Sequence, residues 1–148
     1  MKHILAAAAV ALLAACNTLP TAKQARAPAA RPAPAYVPSG QPVFFEWDKA
    51  DITPQAAATI KAAADKVKAG QNARVNITGY TDASGTRPYN QDLALRRAEA
   101  VREELLRNGV EPQNIGSTVG KGETPQMVRT RDGVANPQNR RAEIAVVR

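Results

Sequence analysis

Six prolines fall between residues 20 and 42 (Pro20, Pro28, Pro32, Pro34, Pro38 and Pro42), set among alanines with Lys23, Arg26 and Arg31 as the only charges. Proline gives no backbone N–H to a helix or a sheet ladder, and a stretch this poor in apolar bulk cannot build a core. Residues 17–42 therefore read as a linker. In extended polyproline geometry, at about 3.1 Å per residue, they would reach at most roughly 80 Å. A folded unit has to come from residues 43–148, a length sufficient for one core.

Ahead of the linker, Lys2 and His3 precede an unbroken apolar run over residues 4–15. That run suits a secretory signal and falls short of the about 20 residues that span a bilayer as a helix. It ends at Cys16, the only cysteine, so no internal disulfide can form. Leu13-Ala14-Ala15-Cys16 resembles the bacterial lipoprotein box. The resemblance implies that Cys16 becomes the first residue of the mature chain and carries several acyl chains, since one alone binds a membrane only marginally. Asn17, where an aspartate would retain the chain in the inner membrane, implies delivery to the outer membrane with the folded unit in the periplasm. The expected organisation is a signal peptide over 1–15, a lipidated Cys16 with a Pro/Ala-rich tether over 16–42, and a domain over 43–148. His3, the only histidine, would leave with the signal. No Ser–His or Cys–His catalytic pair and no histidine metal site would remain, and no cofactor or metal is expected. The net charge of +7 becomes +6 without Lys2, with 19 basic against 13 acidic residues. Such an excess suits anionic polymers, and export argues against nucleic acid as a partner.

Within 43–148 the pattern reads strand, helix, strand, helix, strand, strand. VFFEW (43–47) is the first strand. Thr53 is a candidate N-cap with Pro54 at the first helical position, and a helix runs through Ile60, Ala64 and Val67 to a stop at Gly70. ARVNITGY (73–80) alternates through Val75 and Ile77 as a strand does. The loop that follows holds Gly85 and Pro88, and the second helix is expected over 90–108 with Gly109 at its end. NIGSTVG (114–120) is a weaker strand, 121–138 is broken by glycines and prolines, and AEIAVVR (142–148) closes the chain as a strand. The expected fold class is α/β, a two-layer βαβαββ sandwich with a mixed parallel/antiparallel four-stranded sheet.

Two charges stand out. Asp82 sits where the apolar strand ends. Arg97 lies four residues after Leu93 and four before Val101, which at 100° per residue puts it beside the inward stripe of the second helix. A charge there must be paired or reach out along its stem. Helical side chains lean toward the helix N-terminus, so Arg97 points back at the loop that begins with Asp82. Two readings stay open on spacing alone. Asp82 and Arg97 form a structural ion pair, or they are two poles of a pocket in which Asp82 accepts from an ammonium and Arg97 holds a carboxylate through parallel bonds. In the second reading the helix N-terminus near Asn90 adds donors.

The stretch GYTDASGTRPYNQDLALRRAEAVREELLRNGV (79–110) resembles the central signature of the OmpA-like peptidoglycan-binding domain: Thr-Asp, Gly, Tyr-Asn, Leu, Arg-Ala, Val, Leu, Gly. FFEWDKADIT (44–53) resembles the family's opening strand and turn, and NRRAEI (139–144) its closing Asn-Arg-Arg before the last strand. The matches cover essentially all of 43–148 in order. They imply non-covalent, non-enzymatic binding of the peptide stem of peptidoglycan at diaminopimelate, with the lipid anchor tying the outer membrane to the wall. By the same resemblance Asp82 and Arg97 are the ligand's two poles, pairing with each other only without ligand. Ser84, Asn90, Asp48 and Arg140 are implied secondary contacts. Tyr80 stands where the family commonly has histidine, which implies altered packing, and the loop DASGTRPYN differs from that of the Pal lipoprotein type linked to the Tol system. Two other classes remain: an accessory lipoprotein subunit of an envelope or motor complex, with its protein partners unidentified, and a cell-wall hydrolase. The loss of histidine and cysteine weighs against the latter, and Glu103 and Glu104 lie on a charged, solvated helix face.

Overall fold

Thr53 and Pro54 begin the first helix as their residue types require: the Thr53 hydroxyl accepts from the Ala56 amide at 3.2 Å, and Pro54 occupies a position whose N–H would have no partner in any case. The structure, a computed structural model, describes Tyr36 and residues 38–148. The apolar run, Cys16 and most of the linker lie outside the described residues. The elements are β1 (Gln41–Phe44), α1 (Pro54–Ala69), β2 (Arg74–Gly79), α2 (Arg87–Arg107), β3 (Ile115–Gly120) and β4 (Arg141–Val147), with short 3-10 turns at Pro112–Asn114 and Pro137–Asn139. The βαβαββ order and the mixed four-stranded sheet are those read from the sequence.

The sheet runs β1-β4-β2-β3, with β4 antiparallel to both β1 and β2 and β2 parallel to β3. The last strand is therefore central, and β3 is an edge. An edge strand buries little of either face, which explains the weak alternation of NIGSTVG. β1 ends at Phe44, earlier than expected, because a turn follows in which the Lys49 amide donates to the Glu46 carbonyl at 3.3 Å and Asp48 takes φ +57°. α2 begins at Arg87, not Asn90. Pro88, expected in the loop before the helix, sits in the first helical turn, where its missing N–H costs nothing.

One face of the sheet carries the core. Val75 and Ile77 of β2, Ala142 and Ile144 of β4 and Val43 of β1 meet Ile60, Ala64 and Val67 of α1 and Ala98, Val101 and Leu105 of α2. Full burial of each Val, Leu or Ile contributes roughly 1.5–3 kcal/mol relative to exposure. The alternate residues of β4, Arg141 and Glu143, point to the opposite face and are also buried.

Gly79 and Gly120, at the parallel ends of β2 and β3, let α2 lie directly on the sheet. A Cβ at Gly79 would run into the Ala94 carbonyl of α2, and one at Gly120 into the Leu95 backbone. Backbone cannot yield as a flexible side chain does. Gly79→Ala is expected to lift α2 from the sheet, destabilise the fold by about 3 kcal/mol and disturb Arg97, one helical turn beyond Ala94. A urea denaturation series checks this.

Candidate functional site

The segments after β1 and β2 and the residues leading into β4 meet at one end of the sheet, beside the first half of α2. Asp82, three residues past β2, is buried there. Its Oδ1 accepts from the Ser84 amide at 3.2 Å and the Ser84 hydroxyl at 2.6 Å. Its Oδ2 accepts from the Asn136 amide at 3.2 Å and from Nη1 of Arg140 at 3.3 Å. Burial pushes the Asp82 carboxyl up, but the bonds from Ser84, Arg140 and Asn136 outweigh it and hold it below the usual carboxylate range.

Arg97 is fully buried. Its Nε donates to the Lys49 carbonyl at 2.8 Å, Nη1 to the Tyr80 carbonyl at 2.9 Å and Nη2 to the Glu46 carbonyl at 3.0 Å. Its guanidinium also lies 5.3 Å from the centre of the Phe45 ring. Burial pulls its pKa down to about 10, opposed by the nearby Asp82 charge, so it remains a cation at neutral pH. The direct Asp82–Arg97 pair considered from spacing is not formed. Asp82 pairs with Arg140, 58 residues along the chain, and among the described residues Arg97 has no carboxylate within 4.0 Å. Arg97 is committed to carbonyls instead because the turn after β1 brings Glu46 and Lys49 within its reach.

Both charges nevertheless line one cavity of about 120 Å³, together with Asp48, Ser84, Asn90 and Arg140. All six residues singled out from the sequence thus meet there. Arg140 is fixed by its bond to Asp82 and by Nε donating to the Phe45 carbonyl at 3.2 Å. Asp48 accepts from the Tyr89 hydroxyl. Asn90 is buried inside α2, in its first turns rather than at its N-terminus, and its Nδ2 donates to Glu123 at 2.8 Å. Trp47 and Tyr89, which lie within the matched motifs but are not among the six expected contacts, stand exposed at the cavity mouth. Their position so close to Asp48 and Asn90 was the available signal. A larger groove of about 560 Å³ runs between β1 and the start of α1, but its walls are largely uncharged, with only Glu46 and Arg140 as ionisable groups. The smaller cavity gathers two carboxylates and two guanidiniums and is the better candidate. Among the described residues no cluster of acidic, histidine or cysteine side chains could hold a metal ion, and no helix is long and apolar enough to cross a membrane.

A model described as the OmpA family matches residues 44–140, a span that includes every one of these cavity residues. The chain belongs to the OmpA family. Its relatives include an outer membrane protein of Gluconacetobacter diazotrophicus, 40% identical over 69% of this chain and 28% of the relative. A peptidoglycan-associated lipoprotein of Pseudomonas putida is 39% identical over 68% of this chain and 60% of its own length. The chain thus spans from about a quarter to somewhat under two thirds of these two relatives. In structure, this OmpA-family chain is similar to the peptidoglycan-associated lipoprotein of Burkholderia pseudomallei, with a TM-score of 0.66 and 30% identity over 74% of this chain and 92% of that one. The C-terminal domain of Helicobacter pylori MotB, 24% identical with a TM-score of 0.63 over 73% of this chain and 86% of that one, shares the fold.

Proposed function

We propose that this chain binds peptidoglycan non-covalently, holding the ammonium and carboxylate of diaminopimelate between Asp82 and Arg97, and that lipid on Cys16 makes this binding an anchor between outer membrane and wall. Membership of the OmpA family and likeness to peptidoglycan-associated lipoproteins support wall binding in general. The observation that carries the finer reading is the state of Arg97. A guanidinium has five N–H donors, and Arg97 spends three on carbonyls, so two are left for a carboxylate. Its three partners are neutral carbonyls, and the carboxylates of Asp82 and Asp48 act on it only through space, so a ligand carboxylate would be its first directly bonded counter-charge. Asp82, held ionised, is the matching acceptor for an ammonium. Asp48 and Asp82 balance Arg97 and Arg140, so a zwitterion enters without bringing unpaired charge into a desolvated site.

Sedimentation of the full chain in detergent with purified cell walls tests the proposal. Wild-type protein is expected to sediment with walls containing diaminopimelate and to stay in solution with walls containing lysine at that position, since lysine lacks the side-chain carboxylate. Asp82→Ala is expected to abolish sedimentation. Retained binding by Asp82→Ala, or equal binding to both walls, would show that the ligand is held elsewhere.

A further inference from the structure

Trp47 is the chain's only tryptophan. At 60% exposure it is the most exposed large apolar side chain among the described residues. It is nevertheless held in place. Its Nε1 donates to the Ser84 hydroxyl at 3.2 Å, and that hydroxyl donates to Oδ1 of Asp82 at 2.6 Å. The indole is thereby tied, through one serine, to the acidic pole of the cavity.

The cavity, of about 120 Å³, is small and open on one side. It has room for an ammonium, a carboxylate and the carbon that joins them. The amide-linked chain from which such a head hangs leaves through the open side, the mouth. The mouth is flanked by Trp47 on the segment after β1 and by Tyr89 in the first turn of α2, the latter secured to Asp48. The exposed indole is the largest apolar surface on this rim, available to whatever is attached to the head. A pre-positioned aromatic face is well suited to pack on peptide backbone, because its ordering cost is already met.

Resting on the diaminopimelate reading, we propose that Trp47 is a ligand contact that distinguishes diaminopimelate within a peptide from the free amino acid. The indole face packs on the stem peptide next to the gripped head, and the tie through Ser84 to Asp82 sets the ring for that contact. Binding energy is then divided between a polar cavity that reads the zwitterion and an aromatic wall that reads what it is joined to.

The test titrates the full chain, in detergent, with free diaminopimelate and with a tripeptide stem ending in diaminopimelate, read by calorimetry and by tryptophan emission. Wild-type protein is expected to bind the stem more tightly, with an emission change larger for the stem than for the free amino acid. Trp47→Ala should lose about tenfold in affinity for the stem and no more than about twofold for free diaminopimelate, and Trp47→Phe should fall between. A thermal melt establishes that the variants fold. Equal losses for the two ligands, or no loss for the stem, would overturn the role of Trp47 while leaving the cavity assignment standing. Wild-type protein that binds neither ligand would overturn the diaminopimelate reading, and this inference with it.

Discussion

Arg97→Ala is expected to lower the free energy of unfolding by about 3–5 kcal/mol, quite apart from any effect on ligand. The side chain joins three stretches of the chain. It donates to the carbonyls of Glu46 and Lys49 after β1 and of Tyr80 after β2 from its own place on α2, and it covers the Phe45 ring. Truncation leaves three acceptors facing a void. In a domain of this size the loss corresponds to a fall in melting temperature of about 15 °C or more. Arg97→Lys should recover less than half, because one ammonium cannot reach three diverging carbonyls as a planar fork does. Urea denaturation checks both, and an Arg97→Ala midpoint equal to that of wild type would show that the carbonyl bonds contribute nothing net.

This structural role of Arg97 changes what a loss of wall binding would mean. Lost binding in Arg97→Ala would follow from a disordered site as readily as from a missing charge. Asp82→Asn separates the two. It keeps the shape, an oxygen for Ser84 and all three carbonyl bonds of Arg97 while removing the charge that an ammonium requires; its NH2 faces the donors of Asn136 and Arg140, so a urea series on the same variant has to show a folded domain where binding falls.

The sequence conveyed what is local and periodic. Thr53, Pro54 and Gly70 bracket α1 because caps act within a single turn, and the 100° step placed Arg97 inward before any contact was known. Interactions between distant segments were not legible in this way. Arg140 is the partner of Asp82 only because β4 inserts between β1 and β2, and no spacing reveals that insertion. Pro88 suits a loop and a first helical turn equally, so its residue type does not place the start of α2. Arg141 and Glu143 alternate with the core residues Ala142 and Ile144, a pattern that by itself puts charges on a solvent face. They are buried because Tyr36 and Ser39, in a stretch whose composition reads as linker, cover them.

That cover is the basis of the second large effect. Tyr36→Phe combined with Ser39→Ala is expected to cost about 3 kcal/mol at neutral pH. Glu143 is buried and accepts from the Tyr36 hydroxyl, from the Ser39 amide at 3.0 Å and hydroxyl at 2.8 Å, and from Nε of Arg141 at 2.8 Å. The Arg141 guanidinium lies between two rings, 4.0 Å from the centre of Tyr80 and 4.7 Å from that of Tyr36. The double substitution keeps the rings and the backbone and removes two hydrogen bonds to a charged acceptor, each worth about 1.5–3 kcal/mol. Burial pushes the Glu143 carboxyl up, but the bonds from Tyr36, Ser39 and Arg141 prevail and hold it below its usual range. A carboxyl depressed in the folded state contributes stability that is fully present above its unfolded pKa of about 4.3 and is lost as pH falls through the lower folded value. Without the Tyr36 and Ser39 hydroxyls that contribution is smaller, carried only by Arg141 and the Ser39 amide, so the gap between wild type and double variant should narrow toward pH 3. Urea denaturation at pH 7 and pH 3 reads this directly, and a gap that persists undiminished at pH 3 would mean that the two hydroxyls do not act through the carboxylate. The consequence reaches the site. Arg141 also donates to the carbonyls of Pro125, at 3.3 Å, and Asn139, at 3.5 Å, on either side of the segment whose Asn136 amide bonds Asp82, and Arg140 is its immediate neighbour in the chain. A chain cut to begin at residue 43 would keep every cavity residue yet lose the cover over Glu143, so weak wall binding by such a fragment would reflect a loosened support for Arg140 and Asp82 before it spoke against the cavity itself.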